Sequence, residues 1–268
     1  MTDFLERVVA ERRADAAAPR PAATSQTVAA AAPPRPLDAA LRAPRTRRLR
    51  FAVIAEVKRR SPALGPLGEE VDAAAVARAY AGAGAVAISV ITEPRHWGGS
   101  LADLVAVREA VSIPVLCKDV IVDGRQLQDA RSAGADAVLL ISEALDDLSL
   151  ARLVEQAHDL GLSTIVEAHE ATAFERAVRS GAGIVGVNAR DLRDPGRIDR
   201  TRIGLLAQLA LPGQVLVAES GIETLQDARG LPARVDAILV GSALMRSLDP
   251  APLLASLASI EDDTTVTA

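Results

Sequence analysis

The chain is short of aromatic residues: only 2% of its 268 residues are Phe, Trp or Tyr. One cysteine allows no internal disulfide, which fits a reducing compartment and makes the protein an expected cytoplasmic one. The three histidines, His96, His158 and His169, share no metal-ligand spacing and no Cys/His cluster accompanies them, so no metal is expected. A formal charge of −5 and the lack of a basic-aromatic cluster argue against nucleic acid as a partner. No apolar run approaches the roughly 20 residues that span a bilayer. Met1 to Arg13 mixes acids with apolar residues and lacks the apolar stretch of a secretory signal, so no membrane partner is expected.

What is present is aliphatic: 49% of the chain is hydrophobic, dominated by Ala, Val, Ile and Leu. That composition suits parallel strands covered by helices on both faces. From Phe51 onward, small-residue turns recur about every 25 to 35 residues, the size of a strand-helix unit. Ala81 to Ala85, Ala133 to Asp136 and Gly181 to Gly183 are such turns, each followed by an apolar run. Eight candidate strands result: Phe51–Val57, Val86–Ile91, Pro114–Cys117, Ala137–Ile141, Ser163–Val166, Ile184–Val187, Val215–Ala218 and Ala237–Val240. Helical patterns such as Asp72 to Ala81 and Leu148 to Leu160 lie between them, with Asp72 and Asp123 as N-caps. Strict alternation without a glycine-rich dinucleotide loop predicts a (β/α)8 barrel of the TIM type over residues 51–260. Residues 1–50 form an N-terminal extension: a short amphipathic helix from Thr2 to Arg13, then an Ala/Pro-rich linker. Residues 261–268 are a tail.

In such barrels the site lies at the carboxyl ends of the strands. The first strand ends in Glu56, Lys58 and Ser61, the third in Lys118 and Asp119, and the fifth in Glu167. The sixth ends in Asn188 and Arg190, the seventh in Glu219 and Ser220, and the eighth in Gly241 and Ser242. Burying so many charges unpaired is costly, so they pair with one another or line a wet cavity. An ion network without chemistry is one reading; an acid–base site with both charge types is the other. Gly221, Gly241 and Ser242 fit a phosphate cradle at the loops after strands seven and eight, where barrels often hold one. Cys117, inside an apolar strand, reads as an inert thiol, and His158 as a surface residue. Trp97, beside Gly98 and Gly99, either covers an apolar ligand or packs on the rim.

Val53 to Pro62 resembles the first-strand signature of the indole-3-glycerol phosphate synthase family. The likeness continues through Ile91-Thr92-Glu93, Gly99-Ser100-Leu101, Cys117-Lys118-Asp119 and Ile165-Val166-Glu167. It then takes in Asn188 to Leu192, Ala218 to Ile222 and Val240 to Met245, in order and in register with the strands. The resemblance implies closure of the indole ring on 1-(2-carboxyphenylamino)-1-deoxyribulose 5-phosphate, with loss of carbon dioxide and water. It implies no cofactor, a phosphorylated small-molecule substrate, and other tryptophan-pathway enzymes as candidate partners. It assigns catalysis to Glu56, Lys58, Lys118, Glu167, Asn188 and Ser220. Substrate contact falls to Ser61, Pro62, Trp97, Arg190, Glu219, Gly221, Val240, Gly241 and Ser242.

Within that set the resemblance implies Lys118 as the general acid at the substrate ketone, and Glu167 as the base or the stabiliser of the cationic intermediate. Asn188 and Arg190 orient the anthranilate end; Ser220, Gly221, Gly241 and Ser242 hold phosphate. A lysine whose pKa is pulled down by its neighbouring lysine is expected to donate near neutrality. Departures from the family pattern are Val120, where an aromatic is usual, and Trp97, where Phe is usual. The aliphatic Val120 site raises a ring-substituted anthranilate as an alternative substrate, while Trp97 restores some of the lost apolar cover. A phosphoribosyl isomerase and a non-catalytic barrel are the remaining alternatives. The first calls for an early Asp or Cys where this chain has Glu56 and Lys58, and the second for lost site charges, none of which is missing.

Overall fold

The computed structural model describes residues 3–18, 32–46, 48–68 and 70–262. Eight parallel strands close into a barrel: β1 (Ala52–Val57), β2 (Ala87–Ile91), β3 (Val115–Lys118), β4 (Ala137–Ile141), β5 (Ser163–Ala168), β6 (Ile184–Asn188), β7 (Val215–Glu219) and β8 (Ala237–Val240). Each strand pairs with its sequence neighbours, and β1 closes the ring by pairing both β2 and β8. Every residue of β1, β2, β4, β6, β7 and β8 is buried, as strands covered on both faces must be. The fold class and all eight expected strands stand, with ends moved by a residue or two.

Helices follow the strands: α3 (Ala73–Gly82), α4 (Leu101–Ala110), α5 (Gly124–Ser132), α6 (Asp147–Asp159), α7 (Ala171–Arg179), α8 (Thr201–Ala207), α9 (Leu225–Arg229), α10 (Ser242–Met245) and α11 (Ala251–Ala258). Asp72 caps α3 by accepting from the Ala74 and Ala75 amides, and Asp123 caps α5 in a capping box with Gln126. Gly84, Gly134 and Gly181 take positive φ of 104°, 90° and 87° just after helices, where a side chain would be strained.

Two helices precede the barrel and cover its opposite ends. The first, α1 (Phe4–Ala17), runs four residues beyond the expected end at Arg13. It buries Leu5, Val8 and Val9 and lies against the loops at the carboxyl ends of the strands. There Arg12 donates to Asp119 (3.0 Å), Arg95 pairs with Asp15 (2.5 Å), and the His96 ring meets Glu11 (2.7 Å). Much of the linker expected from Ala14 to Pro36 lies outside the described residues, but its last part packs on the barrel. Arg35 donates to the Ile113 carbonyl (2.7 Å) and its amide to Asp136 (2.6 Å). A second helix, α2 (Leu37–Thr46), closes the amino end with Leu37 and Leu41 fully buried. Residues 37–46 thus form a second helix in an extension expected to hold only the one near its start. The signal was there: Leu37 and Leu41 share a face, and Asp38 accepts from Arg42 one turn on (2.9 Å). Abundant Ala and Pro obscured it.

Candidate active site

A cavity opens at the carboxyl end of the barrel. Its lining includes Glu56, Lys58, Lys118, Glu167, Asn188 and Ser220, together with Trp97, Arg190, Glu219, Gly221, Val240, Gly241 and Ser242. Those are residues from seven strands or the loops after them, brought together although separated by up to 186 positions in the chain. Ser61 and Pro62 are not among them. After Lys58 the chain folds back in a small hairpin pairing Arg60–Ser61 with Gly65–Pro66. That turn buries Ser61 and exposes Pro62 outside the cavity.

The polar groups form two linked clusters. In one, Lys58 Nζ lies 2.7 Å from Glu56 Oε1. In the other, Lys118 Nζ donates to Glu219 Oε2 (2.6 Å) and Glu167 Oε2 (3.1 Å). The Asn188 amide Nδ2 approaches both oxygens of Glu167 at 3.4 Å, and its own Oδ1 accepts from the Arg190 amide (3.0 Å). Strand register explains the second cluster: Glu167 pairs with Gly186, and Asn188 with Glu219. A Cβ on Gly186 would come within 2.5 Å of Glu219 Oε1, so glycine at this strand position makes room for the carboxylate. Gly241 does the same for Glu56: a Cβ there would overlap Glu56 Oε1.

Burial and charge set the protonation of these groups in opposing directions. Burial alone would lower the Lys118 pKa, but Glu167, Glu219 and Glu56 outweigh it and hold the ammonium well above the ordinary lysine value. This corrects the expectation of a lysine pulled down by another lysine, because three carboxylates surround Lys118 and Lys58 is occupied by Glu56. Glu56 is buried too, yet Lys58 and Lys118 lower its pKa below the usual carboxylate value. Glu219 goes the other way: burial first, then the Glu167 carboxylate, push it up to about 8 despite Lys118. Its Oε1 is buried and accepts no hydrogen bond from the described residues. Arg190, mostly desolvated, has a lowered pKa that Glu56 and Glu223 only partly restore.

The loop after β2 adds a buried carboxylate to the frame of the site. Glu93, 1% exposed, accepts from the backbone amides of Arg95 (3.0 Å), His96 (2.7 Å) and Trp97 (3.1 Å). It thereby shapes the loop that carries Trp97 into the cavity wall. The Trp97 ring sits edge-on to Phe4 of α1 at 5.7 Å, so the tryptophan both lines the cavity and packs on the rim. Val120, Leu139, Ile141 and Ile222 add an apolar surface beside the charges. At the β7 exit Ser220 adopts φ +67° and Gly221 φ +73°. A non-glycine residue in the left-handed region costs about 1–2 kcal/mol and tends to persist where function requires it. Cys117 is buried beside Thr92 Oγ1 (3.3 Å), and burial pushes its thiol up to about 12, as expected for an unreactive thiol. His169, Glu170 and Asp191 approach one another closely enough to suggest a cation site. Arg193 already pairs with Glu170 (2.6 Å) and Asp191 (3.0 Å), so the positive charge there is supplied by the protein.

The fold alone is shared with two solved structures, a thiamine phosphate pyrophosphorylase from Pyrococcus furiosus and a 3-hexulose-6-phosphate synthase. They superpose with TM-scores of 0.58 and 0.61 at 19% and 18% identity, each over 78% of this chain and 95% and 98% of theirs. Sequence comparison is more specific. The family described as Indole-3-glycerol phosphate synthase matches residues 5–257. A protein of that name from Nocardioides sp. is 51% identical over 78% of this chain and 81% of its own. Indole-3-glycerol phosphate synthase 2 of Streptomyces coelicolor is 44% identical over 96% of this chain and 99% of its own. With its barrel, its mouth of paired lysines and glutamates, and these relatives along most of its length, the chain belongs to the indole-3-glycerol phosphate synthase family.

Proposed function

We propose that this chain catalyses the reaction of its family, closing the indole ring on 1-(2-carboxyphenylamino)-1-deoxyribulose 5-phosphate as a carboxy-lyase of tryptophan biosynthesis. The observation that carries the reading is the juxtaposition of Lys118 with Glu167 and Glu219 inside the cavity, next to the Lys58–Glu56 pair. Ring closure joins the ring carbon bearing the carboxylate to the ketone carbon, and the ketone oxygen takes up a proton. Lys118, held protonated by its carboxylates, carries that proton at the cavity floor. The new bond leaves cationic charge on the ring, which the Glu167 carboxylate stabilises in a site sheltered from water. Carbon dioxide departs and its electron pair restores the aromatic system; loss of water then completes the indole. Lys58 and Glu56 serve the hydroxyl that departs, Lys58 as donor.

Asn188 and Arg190 orient the anthranilate end, and the loops of Ser220, Gly221, Gly241 and Ser242 receive the phosphate. Trp97 and Val240 contribute apolar contact. The test is turnover: purified protein given this substrate should yield fluorescent indole product with one carbon dioxide per indole. A product formed without carbon dioxide, or none at all, removes the reading.

A second reading concerns the ring that fits. Val120 lines the cavity wall together with Trp97, and its side chain is smaller than an aromatic one. Comparing kcat/KM for plain and ring-substituted substrates decides it, since a clear preference for the plain one eliminates the idea.

A further inference from the structure

Behind Glu167 and Asn188, on the side away from the cavity, lies a chain of buried groups that the proposed reaction does not use. The turn after β4 places Glu143 so that its Oε1 accepts from two backbone amides at the end of β5, those of His169 (2.7 Å) and Glu170 (3.0 Å). Arg176 of α7 and the Ser142 hydroxyl tie the same turn down, the latter donating to the Ala173 carbonyl (2.8 Å). His169, two residues beyond Glu167, is therefore fixed by its own backbone. Its ring, 6% exposed, reaches across to β6, where Nδ1 lies 2.8 Å from the Asn188 carbonyl oxygen. A carbonyl can only accept, so Nδ1 carries the hydrogen; Nε2 faces Asp191 at 4.0 Å.

The geometry points to His169 as a positioning residue. We infer that its Nδ1–H holds the peptide after Asn188 so that the Asn188 side chain meets both oxygens of Glu167. The inference deepens the proposed ring closure and rests on it for its kinetic consequence. Three strand ends are cross-linked in sequence by this route: the β4 turn to β5 through Glu143, β5 to β6 through His169, and β6 back to Glu167 through the Asn188 amide. A loosened Asn188 would leave Glu167 free to turn toward Lys118 alone, and the carboxylate would lose the orientation that a stabiliser of developing charge needs.

The nitrogens of the ring give a discriminating test. In the full-length protein, His169→Asn keeps a donor where Nδ1 stands, His169→Gln moves it to the Nε2 side, and His169→Leu removes it. Amide hydrogen exchange at Ala189 and Arg190 in the substrate-free protein reads the clamp directly. Exchange should speed up about tenfold in the Gln and Leu variants and stay within about threefold of wild type in the Asn variant, the scale of one lost hydrogen bond. For turnover, kcat should fall about tenfold in Gln and Leu with KM nearly unchanged, and Asn should restore it. Equal exchange and equal kcat in Asn and Gln would show that the ring only fills space, even if both melt earlier. If the Leu variant fails to fold, the Asn and Gln pair still decides. The exchange measurement needs no substrate, so it separates failure of the clamp from failure of the assigned reaction.

Discussion

At the amino end of the barrel, Asp136 and Asp236 are carboxylates set into the start of strands, and the surroundings answer both. Asp136 accepts from the amides of Arg35 (2.6 Å) and Val115 (2.8 Å) and pairs with Arg108 (3.3 Å). Asp236 accepts from the Leu216 amide (2.8 Å) and from Arg234 (2.6 Å). At the carboxyl end, Glu167, Glu219 and Glu56 crowd around one lysine, and Glu219 keeps an oxygen that nothing described satisfies. Asp136 is as buried as the glutamates of the mouth and Asp236 is half-buried, but only the mouth leaves a carboxylate oxygen without a partner among these groups. A buried polar group fully satisfied by backbone holds the fold; one left short of partners is available to a ligand.

Substitutions at the two ends should separate these roles. The largest effect is expected at Glu167: Glu167→Gln should lower kcat by about 1,000-fold while the protein still folds, as circular dichroism and the turnover assay would show together. Next, Gly241→Ala pushes a methyl group into Glu56 and should cost about 1–3 kcal/mol of transition-state stabilisation, read as a fall in kcat/KM.

At the other end, Asp136→Asn should cost about 1–3 kcal/mol in unfolding free energy by denaturant titration and leave kcat of the folded protein unchanged. Burial raises Asp136 from 3.8 to about 6, so its contribution to stability is greatest below 3.8 and declines as pH rises toward 6. The Asn variant should lose that slope, and a fall in kcat instead would blur the distinction between the ends. The smallest effect is a change of shape rather than size. Glu219, raised to about 8, is neutral below that pH and gains charge above it. An alkaline fall in kcat/KM near pH 8 should flatten in Glu219→Gln, which stays neutral throughout.

Much of the barrel was legible because its signals are local. Apolar runs such as Ala137–Ile141, preceded by a turn glycine, mark a buried strand wherever they occur, and the charged residues that end them mark the mouth. What stayed hidden depends on contacts distant in sequence or on competing charges. The strand ends identified Lys118 and Lys58 as neighbours, but only the register of β5, β6 and β7 shows that carboxylates, not the second lysine, dominate Lys118. Glu93 looked like part of a motif; its service to three loop amides needs the loop's fold. Ser61 and Pro62 come soon after Lys58 in sequence, yet the hairpin turns them away from the cavity. The contact of Arg12 with Asp119 spans 107 positions and has no local trace.

Turnover by Lys118→Ala tests most directly whether the crowded end of the barrel exists for proton transfer. The substitution removes the one ammonium that touches both Glu167 and Glu219. Indole formation should fall by about 1,000-fold relative to wild type. An unchanged rate would contradict the account, since the charges gathered at the mouth would then be a structural network like that at the base.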